Sequence, residues 1–235
     1  DKITQFISLP KVSVVMSIDS VSPHTFETIR KGAKFENVLS NFKTINKIMQ
    51  DKGINMQISV CPITLNANEI PELVDFANKE QCTIFFNYTF FPYYLSLKNL
   101  AHPKLQALTQ LYKTHLENLT QNNNIEKNNA NALLGLINQL KEWEKEALDK
   151  ERNKTIIKKE EVVKIVSHIE VATPNIQNIF FSQLEDSWEI STVTYNSLNE
   201  KAFIEEVNFT VMAFKNGYFE EKNIIEYLKF IFEVR

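Results

Sequence analysis

Residues 12–91 predict an α/β fold with a parallel sheet, and the chain after about residue 100 predicts a mainly helical region. Three observations lead there. Apolar, β-branched runs alternate with amphipathic stripes at helical spacing across residues 12–91. Turn and cap residues separate the segments, and polar residues fall at the carboxyl ends of the strands, where such folds build sites. Beyond Pro103 the alternation stops and Leu-rich helical stripes replace it.

Residues 12–18 are nearly continuous in apolar and β-branched side chains, as in a strand buried on both faces. Ser22-Pro23 marks a helix start, and a short helix runs through Arg30 to Lys31-Gly32. The next helix covers about 36–51, with Val38, Leu39, Phe42, Ile45, Ile48 and Met49 on one stripe. Gly53 closes it, because glycine takes a left-handed cap without steric cost. Residues 56–63 form a second strand with Pro62 at its end, and 66–69 a polar loop. Ile70, Leu73, Val74 and Ala77 mark a helix, and 83–90 a third strand that breaks at Phe91-Pro92.

A hinge is expected between Pro92 and Pro103, so residues 1–100 form one domain and 101–235 a helical extension. In the extension, 103–119 and 130–151 read as helices, with a polar linker bracketed by Asn122-Asn123-Asn124 and Asn128-Asn129. Further helices are expected near 160–169, 200–216 and 220–234, and a short strand near 188–193.

The composition sets bounds. The chain has 235 residues, 43% of them hydrophobic, enough for one sizeable domain or a domain with an appendage. A net charge of −3 from 26 basic and 29 acidic residues gives no argument for nucleic acid or a membrane surface as a partner. No apolar run approaches the length of a transmembrane helix, and the first residues lack a signal-peptide pattern. Two cysteines, Cys61 and Cys82, cannot alone supply a four-ligand metal site, and they read as reduced structural residues of a cytoplasmic protein. On that reading the sequons at Asn87, Asn118, Asn153 and Asn208 carry no weight.

Four segments together resemble the radical S-adenosylmethionine (radical SAM) enzymes. These are Val15-Met16-Ser17-Ile18-Asp19, Thr25 to Gly32 with its Ile29-Arg30-Lys31-Gly32, the helix opening Phe35-Glu36-Asn37-Val38-Leu39, and Ile58-Ser59-Val60-Cys61-Pro62 with Asn66-Ala67-Asn68-Glu69-Ile70-Pro71-Glu72-Leu73 after it. The likeness spans about 80 of the 235 residues and covers the second half of the family's barrel domain. It implies a partial (β/α) TIM-type barrel of about three parallel βα units.

By the same likeness Ser17 and Arg30 belong to the wall that binds S-adenosylmethionine, with Arg30 reaching the cofactor's carboxylate. The family's Cys-x-x-x-Cys-x-x-Cys loop, which holds a [4Fe–4S] cluster, and its Gly-Gly-Glu-like motif do not occur in the sequence. S-adenosylmethionine and the cluster are therefore expected only in an intact protein, and neither for this chain alone. The missing initiator Met and the start just before a strand predict a C-terminal fragment whose partner is the N-terminal half of the barrel. A half barrel exposes a sheet edge, which predicts a homodimer through that edge unless the C-terminal helices cover it.

Other readings compete. Ser17 could simply bond local backbone, and Arg30 could simply favour a helix C-terminus. Asp19 is expected to accept from amides of its turn and cap the following helix. Asn87, polar within Phe85-Phe86-Asn87-Tyr88, must find a partner, either cofactor or backbone; Asn66 and Thr89 also lie near strand ends. The aromatic run 85–94 reads as core or interface, and the mixed charges of 141–151 as a solvated face, with partner binding as the alternative. A non-catalytic interaction protein derived from a barrel remnant is the alternative function. A barrel enzyme using Asp19 and His24 in acid–base work is a weaker third.

Overall fold

A computed structural model describes residues 12–90, 93–152 and 221–232, with isolated positions between 163 and 216. The chain forms two compact units, Asp1–Lys145 and Glu146–Arg235.

In the first unit three strands, β1 (Val15–Ser17), β2 (Gln57–Val60) and β3 (Thr83–Phe86), form a parallel sheet in the order β1-β2-β3. Helix α1 (Pro23–Ile29) and helix α2 (Phe35–Asp51) connect β1 to β2, and α3 (Ile70–Lys79) connects β2 to β3. Chain order equals strand order, so the sheet is the α/β arrangement that the alternating pattern predicts.

Strand periodicity decides the two faces. Ile18, Ile58, Val60 and Ile84 point to the buried face, together with Phe42 and Met49 of α2 and Leu73, Val74 and Ala77 of α3. The opposite face carries Val15 (48% exposed), Ser17, Gln57, Ser59 and Phe85 (37% exposed), aligned by the register Ser17–Ser59–Phe85. Thus β1 is covered on one face only, not on both as its apolar run predicts.

Local signals explain the joints. Pro23 opens α1, where its missing N–H costs nothing. Gly53, at φ 69°, ends α2 as expected, and its N–H donates to the carbonyl of Gln50 at 2.8 Å. Strand β3 stops at Phe86, shorter than its apolar run. Tyr88 and Phe90 then leave the sheet to meet the Trp143 ring edge-on at 5.5 and 6.3 Å.

The same unit takes in α4 (His102–Asn118) and most of α5 (Asn124–Arg152), beyond the boundary expected near residue 100. Polar contacts also attach this hairpin to the α/β part. The Tyr112 hydroxyl donates to the carbonyl of Ala67 at 2.6 Å. His115 lies 3.0 Å from the Asp75 carboxylate. Asn129 bonds to the edge of β3.

The expected linker is correspondingly shorter, because α5 begins at Asn124 and both Asn128 and Asn129 are helical. The Asn123 side chain accepts from the N–H of Glu126 at 2.9 Å, and Glu126 accepts from the N–H of Asn122 at 2.7 Å. These reciprocal bonds start the helix earlier than asparagine's low propensity suggests. The charges of 141–151 whose exposure is described face solvent or its border, while Leu133, Leu136, Ile137, Leu140 and Trp143 are buried.

In the second unit α6 (Glu221–Phe232) buries Ile224, Ile225, Tyr227 and Leu228. It matches the helix expected at 220–234. The strand expected at 188–193 lies outside the described residues, as do all but isolated positions of the helices expected at 160–169 and 200–216. No helix among the described residues is long and apolar enough to cross a membrane.

Candidate site at the carboxyl ends of the strands

Asp19 follows β1 and is buried, 2% exposed. It does not cap α1: the N-cap residue is Ser22, whose own side chain makes no capping bond. The Asp19 carboxylate faces two distant partners. Its Oδ1 accepts from the N–H of Cys61 at 2.8 Å, just past the end of β2. Its Oδ2 accepts from Arg30 Nε at 2.8 Å and lies 2.7 Å from one terminal guanidinium nitrogen. The Ser-x-Asp and Ile-Arg-x-Gly segments therefore meet in an ion pair beside the sheet's carboxyl edge. The Arg30 side chain is 38% exposed, so that pair is partly solvated.

Asn66 holds the same loops together from within. Fully buried, it donates from Nδ2 to the carbonyls of Asp19 (2.7 Å) and Cys61 (3.1 Å) and accepts at Oδ1 from the N–H of Ile63 (2.8 Å). Three residues on, Glu69 accepts from the Ser20 hydroxyl and from the Thr25 hydroxyl, the latter at 2.6 Å. Ser20 in turn accepts from the N–H of Ser22 at 2.9 Å. The Asn-x-x-Glu segment thus pins the loop after β1 at both of its ends. Asn66 does not face an open pocket.

Ser17 stands exposed at the end of β1, in register with Ser59, which is buried. Asn87, one residue past β3, is exposed, and its side-chain amide donates to the Ser59 hydroxyl at 2.8 Å. The partner is a side chain, neither the cofactor nor the backbone expected, and Asn87 is exposed and not enclosed in the strand. Thr89 shares a hydrogen bond with the Cys61 side chain. Burial pushes the Cys61 thiol up, the Asp19 charge adds to this, and Arg30 and Thr89 oppose it. Cys61 therefore stays a neutral thiol near neutral pH. His24 is exposed, and none of the bonds at this edge involves its ring.

The structure brings Ser17, Asp19, Arg30, Ser59, Cys61, Asn87 and Thr89 to one edge of the sheet. Ser59 and Glu69 stand in the sequence only as members of the resembling segments, with no role of their own, because both act through partners far away in the chain. The weak signal for Ser59 is its even spacing from Gln57 on the polar face.

Hydroxyl, amide and guanidinium groups together can recognise a polar ligand bearing a carboxylate. Asp19 engages Nε and one terminal nitrogen of Arg30, and among the described residues no hydrogen bond or ion pair takes the other terminal nitrogen, which could meet such a ligand. A metal cluster is a different matter. Among the described residues no group of three His, Cys, Asp or Glu side chains could hold a metal ion, and Cys82 is buried and bonded to Asn46 on the helix side of the sheet.

The fold and site define an α/β protein with a polar site at its strand ends. No family model, curated protein or solved structure matches the chain.

Proposed function

We propose that this chain is the C-terminal portion of a radical SAM enzyme of unknown substrate, a partial (β/α) barrel whose described strand ends form one wall of the S-adenosylmethionine site. The observation that carries the reading is the meeting of Asp19 and Arg30 at the carboxyl edge, beside exposed Ser17. The sheet face with Val15, Ser17 and Phe85 exposed, opposite the helices, supports it, because closing a barrel would bury that face.

Ser17, Arg30 and Asn87 would hold the cofactor: Arg30 by its remaining terminal nitrogen on the carboxylate, Ser17 and Asn87 by hydrogen bonds. When bound and reductively cleaved, the cofactor supplies a radical that abstracts hydrogen from substrate. The described residues do not fit a [4Fe–4S] cluster, so those ligands would come from elsewhere in the intact, cytoplasmic enzyme.

A second reading rests on one observation. Arg30 already spends two nitrogens on Asp19, which suits a structural clamp in a non-catalytic interaction protein. The coding sequence upstream of Asp1 separates the two. Three cysteines spaced Cys-x-x-x-Cys-x-x-Cys are expected there, and a reading frame without them removes the enzyme reading.

A further inference from the structure

We propose that Asn129 is a strand surrogate that keeps β3 from pairing with a strand of a second copy of this chain. Thr83 and Asn87 donate their N–H groups to Met56 and Val60, so the alternate residues of β3 turn their backbone groups away from β2. The carbonyl of Cys82 and the N–H of Ile84 thus lie on the side where a fourth parallel strand would bind. In a parallel pair the incoming residue donates to the first of these groups and accepts from the second.

The Asn129 side-chain amide makes both bonds. Its Nδ2 donates to the Cys82 carbonyl at 2.9 Å, and its Oδ1 accepts from the Ile84 N–H at 2.8 Å. The second hydrogen on Nδ2 goes to Asn78 Oδ1 at 2.8 Å, on α3. A primary amide has the donor and acceptor content of a peptide group, so it can substitute for one. Asn129 is fully buried, and the same helix continues over the edge with Leu133, Leu136 and Trp143, also buried. An unsatisfied edge recruits strands, and here two of the edge's outward groups, the Cys82 carbonyl and the Ile84 N–H, are satisfied by a helix side chain.

The inference is independent of the enzyme reading. Its test uses the whole 235-residue chain and two variants that each lose a fully buried amide making three bonds, Asn129→Ala at the edge and Asn66→Ala away from it. Sedimentation gives the mass over a concentration series, and hydrogen exchange follows the Ile84 amide. The expected result is that Asn129→Ala rises towards twice the mass of the unaltered chain, while Asn66→Ala keeps that mass. Ile84 should exchange faster in dilute Asn129→Ala and regain protection in the associated form. Equal association of both variants, or none by Asn129→Ala, overturns the proposal. If Asn129→Ala does not fold, the isosteric Asn129→Asp, which keeps the acceptor and loses both donors, is read by the same criteria.

Discussion

Asn66 donates its side-chain amide to the backbone carbonyl of Asp19 at 2.7 Å, joining two loops 47 residues apart in the chain. That bond holds the turn after β1 against the exit from β2, and it thereby fixes where Asp19 presents its carboxylate to Arg30.

Removing it should be costly. Asn66→Ala leaves the carbonyls of Asp19 and Cys61 and the N–H of Ile63 without their partner in a buried place. Each group loses desolvation compensation, so the loss should be about 2–4 kcal/mol in total. Urea unfolding followed by circular dichroism measures it. Asn68→Ala, exposed in the same loop, should change stability by less than about 0.5 kcal/mol.

The Asp19–Arg30 pair should couple weakly despite its short distances. Arg30 is 38% exposed, so solvent screens the attraction, and a double-mutant cycle of Asp19→Ala and Arg30→Ala should return about 1 kcal/mol. The single Asp19→Ala change should cost more than Arg30→Ala, because it also strips the N–H of Cys61 of its acceptor.

The fold was largely legible because its signals are local. The stripe through Phe42 and Met49, Gly53 after α2 and Pro23 at the start of α1 each depend on neighbours within a turn or two. The site was legible by position and not by partner. Nothing near Asp19 in the chain indicates Cys61 or Arg30, so a local capping role was expected and a long-range pair was found. Asn129 was hidden for the opposite reason: asparagine's preference for turns masked a buried role inside a helix, although Asn123-x-x-Glu126 announced the true start.

The two thiols should differ in reactivity. Burial pushes Cys82 up to about 12, with the Glu80 charge adding to it, and Cys82 is fully buried while Cys61 is partly exposed. A thiol reagent near neutral pH should label Cys61 first and Cys82 only at the rate of unfolding.

The same shift fixes a sign for alkaline stability. An unfolded thiol titrates near 9.0, so above that pH the unfolded chain loses a proton that folded Cys82 keeps. Stability present below that value should fall as pH rises towards about 12. Burial holds the Tyr112 phenol up as well, which adds to the same slope. Urea midpoints at about pH 8 and about pH 10.5 should show the fall, and Cys82→Ala should flatten it.

The most direct test of the central claim is equilibrium titration of S-adenosylmethionine against the full-length gene product and its Ser17→Ala and Arg30→Ala variants. A charge-assisted bond to the carboxylate corresponds to about tenfold or more in affinity, so Arg30→Ala should weaken binding by at least that factor and Ser17→Ala by somewhat less. Unchanged affinity in both variants, or no binding by the unaltered protein, would contradict the account.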